Sequence, residues 1–476
     1  MGTTTLAGQR ILSLLDENSF VEIGGLITAR ATDFQLKQTE TPSDGVITGY
    51  GVIEGNLVYV YSQDASVLGG SMGEMHAKKI VNLYHLARKT GAPIVGLIDS
   101  AGLRLQEATD ALNAFGEVYR EQTMASGVIP QITAIFGSCG GGLALIPTLT
   151  DFTFMEEKKA KLFINSPNAL AGNEISRCDT SSASFQSERA GIVDVAAEEA
   201  EIFARIRELI SMLPASNEEN NAYVECSDDL NRICTGLDAC VGDTSILAAN
   251  IADNHLFFET KRYYAREMVT GFLKLNGATV GVVANRTEVY GEDGEAVQKF
   301  EPVLTVKGCR KAAEFISFCD AFEIPLLSLT NVKGYEATTC AEENMAREAA
   351  RLTYAFANAT VPKVNVVIGK AFGSAYVTMN SKAIGADMTF AWPEAQIGTM
   401  EAALAAKIIC EGKGAEAIEA CAKEYAALQN NVASAARRGY VDTVIEAYDT
   451  RKYVIGAFEM LFTKREDRPA KKHGTV

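Results

Sequence analysis

Two glycine-rich segments are the parts of this sequence whose residue types point most directly to chemistry. One is G-S-C-G-G-G at 137–142, the other is G-K-A-F-G-S-A at 369–375, and each follows an apolar run. A turn of this kind between a strand and a helix leaves the first helical N–H groups unpaired at the positive end of the helix dipole, where they can bind an anion. The alternative is a tight turn that only lets a helix pack against a sheet.

The first segment does not have the spacing of a nucleotide-binding loop. If Gly140 and Gly142 began a Rossmann G-x-G-x-x-G pattern, the third glycine would fall at 145, which is Leu145. The sequence also lacks the G-x-x-x-x-G-K-[ST] phosphate loop. Use of ATP by this chain is therefore not expected.

The sequence repeats itself once, with a constant offset of 232 residues. Five pairs of matching proline and glycine positions share that offset: Pro93 and Pro325, Gly102 and Gly334, Pro130 and Pro362, Gly137 and Gly369, and Gly141 and Gly373. Each half has the same order of a β-rich opening, a helix, a buried strand after proline, a second helix, another buried strand, a glycine-rich turn and a further helix. This order and the short apolar strands predict an α/β fold with a parallel sheet covered on both faces.

A polar, aperiodic stretch at 215–245 separates the two halves. We place the boundary near 230, which gives an N-terminal domain at 1–230 and a C-terminal domain at 231–476.

Composition excludes several classes of function. The chain has 476 residues, 47% of them hydrophobic, and a formal net charge of −16, which argues against a nucleic-acid partner because such binding depends on clustered Lys and Arg. Ten cysteines without a C-x-x-C pair and four scattered histidines predict no metal site. The N-terminus does not have the pattern of a secretory signal, and the apolar stretch at 128–149 is broken by prolines and glycines. We therefore expect a cytoplasmic protein. A place at the periphery of a membrane complex is compatible with this expectation.

The chain resembles the carboxyltransferase subunits of biotin-dependent acyl-CoA carboxylases and decarboxylases, the family of propionyl-CoA carboxylase beta and methylmalonyl-CoA decarboxylase alpha subunits. Twelve segments carry the resemblance in order: ILSLLDENSFVEI (11–23), VITGYGVIEG (46–55), YSQD (61–64), GGSMGEMHAKKI (69–80), DSAGLRLQE (99–107), ASGVIPQ (125–131), PTLTDFTFM (147–155), FCDAFEIPLL (318–327), ATVPKV (359–364), AWP (391–393), RGYVD (438–442) and TKREDRPAKKHG (463–474). The resemblance implies tandem duplicated crotonase-like domains built as a ββα superhelix. The 232-residue repeat requires a duplication independently.

The activity that the resemblance implies is transfer of a carboxyl group between biotin and the α-carbon of an acyl-CoA thioester. Gly141 and Gly142 match the pair that holds the thioester oxygen, so the N-terminal domain would be the acyl-CoA side. Ser374 and Ala375 match the pair that holds the biotin ureido oxygen, so the C-terminal domain would be the biotin side. A Ser in place of the usual Gly at 374 is acceptable if its φ is negative, because an oxyanion needs only the N–H group.

The other substrate-binding positions also follow from the resemblance. Ala101, Gly102 and Leu103 lie in the segment whose backbone lines the CoA groove, and Gly373 and Val377 flank the second turn; many members have an acid at the position of Val377, which is linked to acyl-group choice. Arg104, in the same CoA segment, either meets a CoA phosphate or pairs with a local carboxylate. Asp99 and Glu107 are interpreted as structural, because the departing biotin nitrogen can itself take the α-proton.

The resemblance also implies partners. No methionine is followed by lysine, so the Met-Lys-Met acceptor for biotin is absent and biotin must arrive on a separate biotin carboxyl carrier protein. The expected partners are a biotin carboxylase or membrane decarboxylase subunits. In the family, the N-terminal half of one chain faces the C-terminal half of another, and a trimer of dimers is expected.

Several positions depart from the family pattern. Ser181, Ser182 and Gln186 replace a usual Gly, Gly and His, the loop at 333–342 has lost two prolines, a Gly and a Gln, and Glu401 follows Met400 in place of a frequent Gly. Three readings stay open at this point: a working carboxyltransferase subunit, a crotonase-type hydratase or isomerase, and a paralogue that has lost catalysis and serves as a structural subunit.

Overall fold

The computed structural model describes residues 4–30, 41–219 and 224–469. The chain divides into two compact units, Met1–Ala222 and Tyr223–Val476. Each unit has its own hydrophobic core and its own main sheet.

The first unit is built on a sheet of seven strands in the order β1-β2-β3-β4-β5-β7-β9. The pairs from β1 to β3 are antiparallel and those from β3 onward are parallel. Its strands are β1 Val21–Ile23, β2 Val46–Ile53, β3 Asn56–Gln63, β4 Ile94–Ile98, β5 Gln131–Ile135, β6 Ser138–Gly140, β7 Phe152–Glu156, β8 Lys161–Phe163 and β9 Val195–Ala197. Its helices are α1 Leu6–Leu14, α2 Glu74–Thr90, α3 Ala108–Ala125, α4 Leu145–Leu149 and α5 Glu199–Met212.

The second unit repeats this design. Its main sheet follows the path β10-β11-β12-β16-β18-β19-β21, with β20 paired to β18 off that path. The strands are β10 Phe257–Thr260, β11 Met268–Leu275, β12 Ala278–Asn285, β13 Glu288–Tyr290, β14 Ala296–Lys299, β15 Val303–Leu304, β16 Leu326–Val332, β17 Gly334–Tyr335, β18 Lys363–Phe372, β19 Met388–Ala391, β20 Gln396–Gly398 and β21 Thr443–Val444. The helices are α6 Thr244–Ile251, α7 Val306–Ala321, α8 Thr339–Glu342, α9 Met345–Asn358, α10 Gly373–Thr378, α11 Ala402–Ile409, α12 Ala415–Tyr425, α13 Val432–Arg437 and α14 Thr450–Leu461.

The antiparallel hairpin of each unit has a two-residue loop. Glu54 and Gly55 join β2 to β3 with φ of 48° and 86°, and Asn276 and Gly277 join β11 to β12 with φ of 51° and 77°. Two consecutive residues with positive φ are typical of the type I′ turn, whose twist matches that of the strands. The same type of turn therefore joins the antiparallel strands of the hairpin in both units.

The 232-residue repeat is confirmed by the elements on which its prolines and glycines fall. Pro93 and Pro325 immediately precede β4 and β16, which are buried throughout. Ile94 and Leu326 each donate a backbone hydrogen bond to the carbonyl of the next matched proline, Pro130 or Pro362. The apolar stretch at 128–149 forms β5, β6, a turn and α4, as its glycines and prolines predicted.

A buried lysine stabilises the loop before the hairpin in each unit, again 232 residues apart. Lys79 of α2 donates to the carbonyl of Ser43 at 2.8 Å and to that of Val46. Lys311 of α7 donates to the carbonyls of Lys261 and Tyr264 at 3.0 and 2.9 Å. Burial lowers the pKa of Lys79 to about 8 and that of Lys311 to about 7, because the charged form loses its hydration.

Within residues 4–30, 41–219 and 224–469, no helix is both long enough and apolar enough to cross a membrane. In the same residues, no group of three or more His, Cys, Asp or Glu side chains is arranged to hold a metal ion. All ten cysteines are free thiols.

Candidate active site

Both glycine-rich segments form turns into a helix at the carboxyl end of a central parallel strand. In the first unit the chain leaves β5, forms β6, and enters the 3₁₀ helix Gly141–Ala144 that continues into α4. In the second unit β18 runs directly into α10. The carboxyl ends of parallel strands are where ligands bind in α/β sheets.

The two turns share one unusual backbone conformation. Gly141 has φ of 62° and Gly373 has φ of 63°, a left-handed conformation that glycine adopts without a Cβ penalty. The positive φ falls on Gly373, whereas Ser374 lies inside α10 and is absent from the positive-φ residues of the described chain. The condition for a serine at 374 is therefore met.

The first-turn amides of both helices are free of side-chain caps. The N-cap residues, Gly140 and Phe372, make no side-chain hydrogen bond to the helices that follow them. Gly142 and Ser374 are exposed, while Ala375 is buried. The sequence-predicted oxyanion residues thus lie at uncapped helix starts, where N–H groups have no intrahelical acceptor.

The exposed face of α10 brings two predicted positions together. Ser374 and Val377 are three residues apart and both are exposed, whereas Ala375 and Thr378 are buried. Residues at i and i+3 of a helix share a face. Val377 therefore lies beside Ser374 on the face that points away from the core.

A tyrosine that the sequence did not single out contacts the first turn. Tyr119 of α3 donates its hydroxyl hydrogen bond to the carbonyl of Gly142 at 2.5 Å. Burial raises the pKa of Tyr119, as does the neighbouring Cys139, so the hydroxyl stays protonated as a donor at neutral pH. This contact holds the peptide group that follows Gly142.

The loop at 101–103 lies next to the same turn. Ser100 donates its backbone N–H to the carbonyl of Ser138 at 3.0 Å, and a Cβ placed on Gly102 would be 3.7 Å from the carbonyl oxygen of Gly140. Gly102 itself has φ of 97°, and Ala101 is exposed. The structure therefore brings the predicted CoA-groove backbone and the predicted oxyanion turn together.

The side chain of Arg104 does not take part in this surface. It is 1% exposed, and its guanidinium donates to Asp44 at 2.6 Å, to Glu107 at 2.8 Å and to the carbonyl of Ser71 at 2.7 Å. Of the two sequence-based alternatives, a CoA phosphate contact by this side chain is corrected in favour of local carboxylates. A guanidinium with these partners inside the protein has no donor left to offer at the surface.

The carboxylates near the first turn are also engaged in structure. Glu107 accepts from Arg104 and from the backbone N–H of Glu74, at 2.6 Å, and Asp99 pairs with Arg10 at 3.0 Å. This agrees with the structural interpretation of both acids. It also weighs against a hydratase or isomerase, which needs a carboxylate directed at the substrate.

Asp99 has a counterpart in the second unit that the repeat could have identified. Asn331 lies 232 residues later, and its Oδ1 accepts the backbone N–H of Lys370 at 3.0 Å. A Cβ on Gly137 would come within 1.9 Å of Asp99, and one on Gly369 within 2.6 Å of Asn331. Both glycines are needed because a polar side chain lies against the backbone just before each turn.

The segment at 181–186, which departs from the family pattern, contacts the strands next to the first turn. Gln186 is buried and donates to the carbonyls of Leu162 and Thr180 at 3.0 and 2.8 Å. Leu162 belongs to β8, which pairs in parallel with β6. In the place of the usual His, Gln186 therefore holds β8, the strand that pairs with the one leading into the turn.

Comparison with known proteins assigns the class. A family model described as the carboxyl transferase domain matches residues 2–476, and the chain belongs to that family. Its activity is carboxyl transfer, and the crotonase-like fold expected from the sequence is confirmed.

Relatives and solved structures cover nearly the whole chain. It is 40% identical to the methylmalonyl-CoA decarboxylase subunit alpha of Veillonella parvula, over 99% of this chain and 92% of that protein. It is 39% identical to the propionyl-CoA carboxylase beta chain of Roseobacter denitrificans, over 99% and 93%. The crystal structure of transcarboxylase 12S, a hexamer with hydrolysed methylmalonyl-CoA bound, matches with a TM-score of 0.91 at 35% identity, over 99% of this chain and 93% of that one.

Proposed function

We propose that this chain is the carboxyltransferase subunit of a biotin-dependent acyl-CoA carboxylase or decarboxylase. It would move a carboxyl group between biotin on a separate carrier protein and the α-carbon of a short acyl-CoA, interconverting acetyl- or propionyl-CoA with malonyl- or methylmalonyl-CoA. The observation that carries this proposal is the pair of uncapped helix starts, one in each unit, with φ of 62° at Gly141 and 63° at Gly373.

The chemistry needs hydrogen-bond donors for two oxygen anions. Breaking the bond between the α-carbon and the carboxyl carbon leaves an electron pair that is delocalised onto the thioester oxygen as an enolate. We assign the N–H groups of Gly141 and Gly142 to this oxygen. Such donors are already oriented by the fold, and each is typically worth about 2.7 to 4 kcal/mol in the transition state.

The second unit would serve biotin, which reaches this chain as a substrate and accepts or gives up the carboxyl group at its ureido nitrogen. We assign the N–H groups of Ser374 and Ala375 to the ureido oxygen, with Gly373 providing the turn. Val377, on the same exposed face as Ser374, would contact the acyl group. Because valine is apolar, it suits a short apolar acyl chain better than a charged acyl chain.

Acyl-CoA would bind along the backbone of Ala101, Gly102 and Leu103, beside the first turn. Residues 1–230 would therefore form the acyl-CoA side and residues 231–476 the biotin side. The buried guanidinium of Arg104 would hold this loop in place, through Asp44 and Glu107.

The assembly and partners are proposed from the relatives. Transcarboxylase 12S is described as a hexamer, which supports a trimer of dimers for this chain. A biotin carboxyl carrier protein would be an obligatory partner. Biotin carboxylase or membrane decarboxylase subunits would set the direction of transfer.

The test is carboxyl transfer by the purified chain with free biotin and ¹⁴C-carboxyl-labelled malonyl-, methylmalonyl- or glutaconyl-CoA. Appearance of label on biotin with one of them identifies the substrate. Gly373→Ala, which disturbs the second turn, serves as the matched variant and should lose transfer. Absence of transfer from all three by the folded wild-type chain would contradict the proposal and favour a structural subunit.

A further inference from the structure

The strand that leads into the second turn carries a cation at its exposed end. Lys370 is three residues before Gly373, and its main chain is held by Asn331 and by pairing with Gln396 of β20. Its Nζ lies 2.7 Å from Oε1 of Glu401, and the side chains of Lys370 and Glu401 are 42% and 48% exposed. The strand end thus presents a partly exposed lysine paired with one partly exposed carboxylate.

Glu401 is the residue that departs from the usual glycine after Met400, and its backbone is fixed against the turn. The carbonyl oxygen of Thr399 would be 3.2 Å from a Cβ on Gly373, and Asn430 donates to the carbonyl of Met400 at 3.0 Å. The main chain just before Glu401 is therefore held in place, whereas the Glu401 side chain is half-exposed where it contacts Lys370.

A second ion pair extends this arrangement. Lys333 pairs with Glu301. The positive charge of Lys333 also lowers the pKa of Glu401, and that of Lys370 lowers the pKa of Glu301. The hydrogen bond from Lys370 is the main cause of the lowered pKa of Glu401, which is therefore ionised at neutral pH. Two lysines and two glutamates leave this cluster without net charge.

With biotin bound at the second turn as proposed, transfer would bring another negative charge to this place. The group that moves is a carboxylate, and biotin carries it as an anion that free biotin lacks at the ureido ring. Ion pairs between exposed side chains are individually weak, so an incoming carboxylate can compete for the same ammonium.

We propose that Lys370 recognises the transferred carboxylate on the biotin side and that Glu401 is its internal counter-anion, displaced when the carboxylated substrate binds. This inference rests on the proposed function and adds a specificity role to two residues outside the oxyanion turn. It implies that Glu401 weakens binding of carboxylated biotin selectively, while leaving binding of uncarboxylated biotin almost unchanged.

The experiment compares the two biotin species in the two directions of transfer. Biotin methyl ester and its N-carboxylated form are used, so that the ureido carboxylate is the one charge that differs between them. Glu401→Gln should lower the KM for the carboxylated ester three- to tenfold, with the KM for biotin methyl ester changed less than twofold. Glu301→Gln removes the same charge from Lys333 instead, and should change either KM less than twofold.

Variants of the lysine test the same idea from the other side. Lys370→Met should raise the KM for the carboxylated ester at least tenfold, and Lys370→Arg should recover most of that loss because it keeps the charge. Equal changes in both KM values for Glu401→Gln, or no change in either, would overturn the inference while wild-type transfer still upheld the proposed function. A wild-type chain that transfers no carboxyl group would overturn both.

Discussion

The two units of this protein share the main-chain geometry of the hairpin and of the glycine turn, and they differ in the polar side chains around it. Both have a type I′ hairpin, a buried lysine that bonds to the loop before that hairpin, and a positive-φ glycine at the turn into a short helix. The first turn is held by Tyr119 and preceded by Asp99, which is paired with Arg10; at the second, a neutral Asn331 and the Lys370–Glu401 pair occupy the corresponding region. The two units therefore share a backbone geometry at the turn, whereas the side chains around that turn differ from one unit to the other.

The largest difference should come from adding a methyl group at the two turn glycines. Alanine in a left-handed conformation costs about 1 to 2 kcal/mol at either site, but at Gly373 the new Cβ would also meet the carbonyl of Thr399 at 3.2 Å. Displacing an oxyanion donor typically costs about 10²- to 10³-fold in kcat. We expect that loss for Gly373→Ala and about a tenfold loss for Gly141→Ala, measured as carboxyl transfer to biotin.

Gly439→Ala is the control for backbone strain, because Gly439 also has positive φ (78°) and open space around it but belongs to the loop between α13 and β21, outside both turns. It should keep the wild-type kcat. Equal losses at Gly141 and Gly373 would show that the contact with Thr399 does not matter.

The second difference between the units concerns Asp151 and Asp387, which each accept a hydrogen bond from the first residue of a parallel strand. Asp151 accepts the backbone N–H of Gln131, and Asp387 accepts that of Lys363, each at 2.8 Å. Asp387 also pairs with Lys464 at 2.8 Å. Asp151 has no such cation among the ion pairs of the described residues, and enclosure of its carboxyl group raises its pKa from 3.8 to about 7, with a smaller contribution from the charge of Asp194.

The same substitution should therefore have opposite effects at the two sites. A carboxyl whose pKa is higher in the folded state binds more protons there, so its contribution to stability is lost as the pH rises from about 4 to 7. Asp151→Asn should raise the free energy of unfolding at pH 8, by at most about 4 kcal/mol at 1.36 kcal/mol per pKa unit, and change it little at pH 4. Part of Asp151 reaches the surface, which will reduce the gain.

Asp387→Asn should lower the free energy of unfolding at pH 8, by about 1 kcal/mol, because it removes the ion pair with Lys464 and leaves that lysine only Glu466, at 3.1 Å, as a carboxylate partner. Urea unfolding at pH 4 and pH 8 measures both variants. Destabilisation by Asp151→Asn at pH 8 would contradict the expected difference between the units.

A smaller effect is expected from the tyrosine at the first turn. Tyr119→Phe removes one hydrogen bond to Gly142, worth about 0.5 to 1.5 kcal/mol, so kcat should fall about two- to tenfold with little change in the KM for acyl-CoA. Tyr335→Phe is the matched variant in the second unit, where the hydroxyl is 3.3 Å from Thr378 of α10. A rise in KM without loss of kcat for Tyr119→Phe would indicate a role in binding CoA instead.

The smallest effect should come from making the first unit resemble the second at one position. Asp99→Asn keeps an acceptor near Gly137 and leaves Arg10 paired with Glu199 at 3.1 Å. We expect kcat to change less than twofold and the free energy of unfolding to fall by about 1 kcal/mol. A tenfold loss of kcat would mean that the carboxylate acts in the chemistry.

The sequence predicted the parts of this structure that depend on local pattern. Proline, glycine and short apolar runs located the central strands and both turns, since those residue types restrict the backbone directly. The role of Arg104 was left between two alternatives because its main partner, Asp44, is 60 residues away. Tyr119 and the Lys370–Glu401 pair were missed for the same reason, whereas Asn331 was missed although the offset of the repeat would have been sufficient to pair it with Asp99.

The strand pairing of the two sheets has a consequence for engineering. Every β-ladder in the described residues joins strands from the same side of the junction between Ala222 and Tyr223. A gene divided there would separate no paired strands among the described residues, so two separately encoded polypeptides are a reasonable format for this enzyme. Each half could then be exchanged with that of a relative to assign acyl preference and biotin use independently.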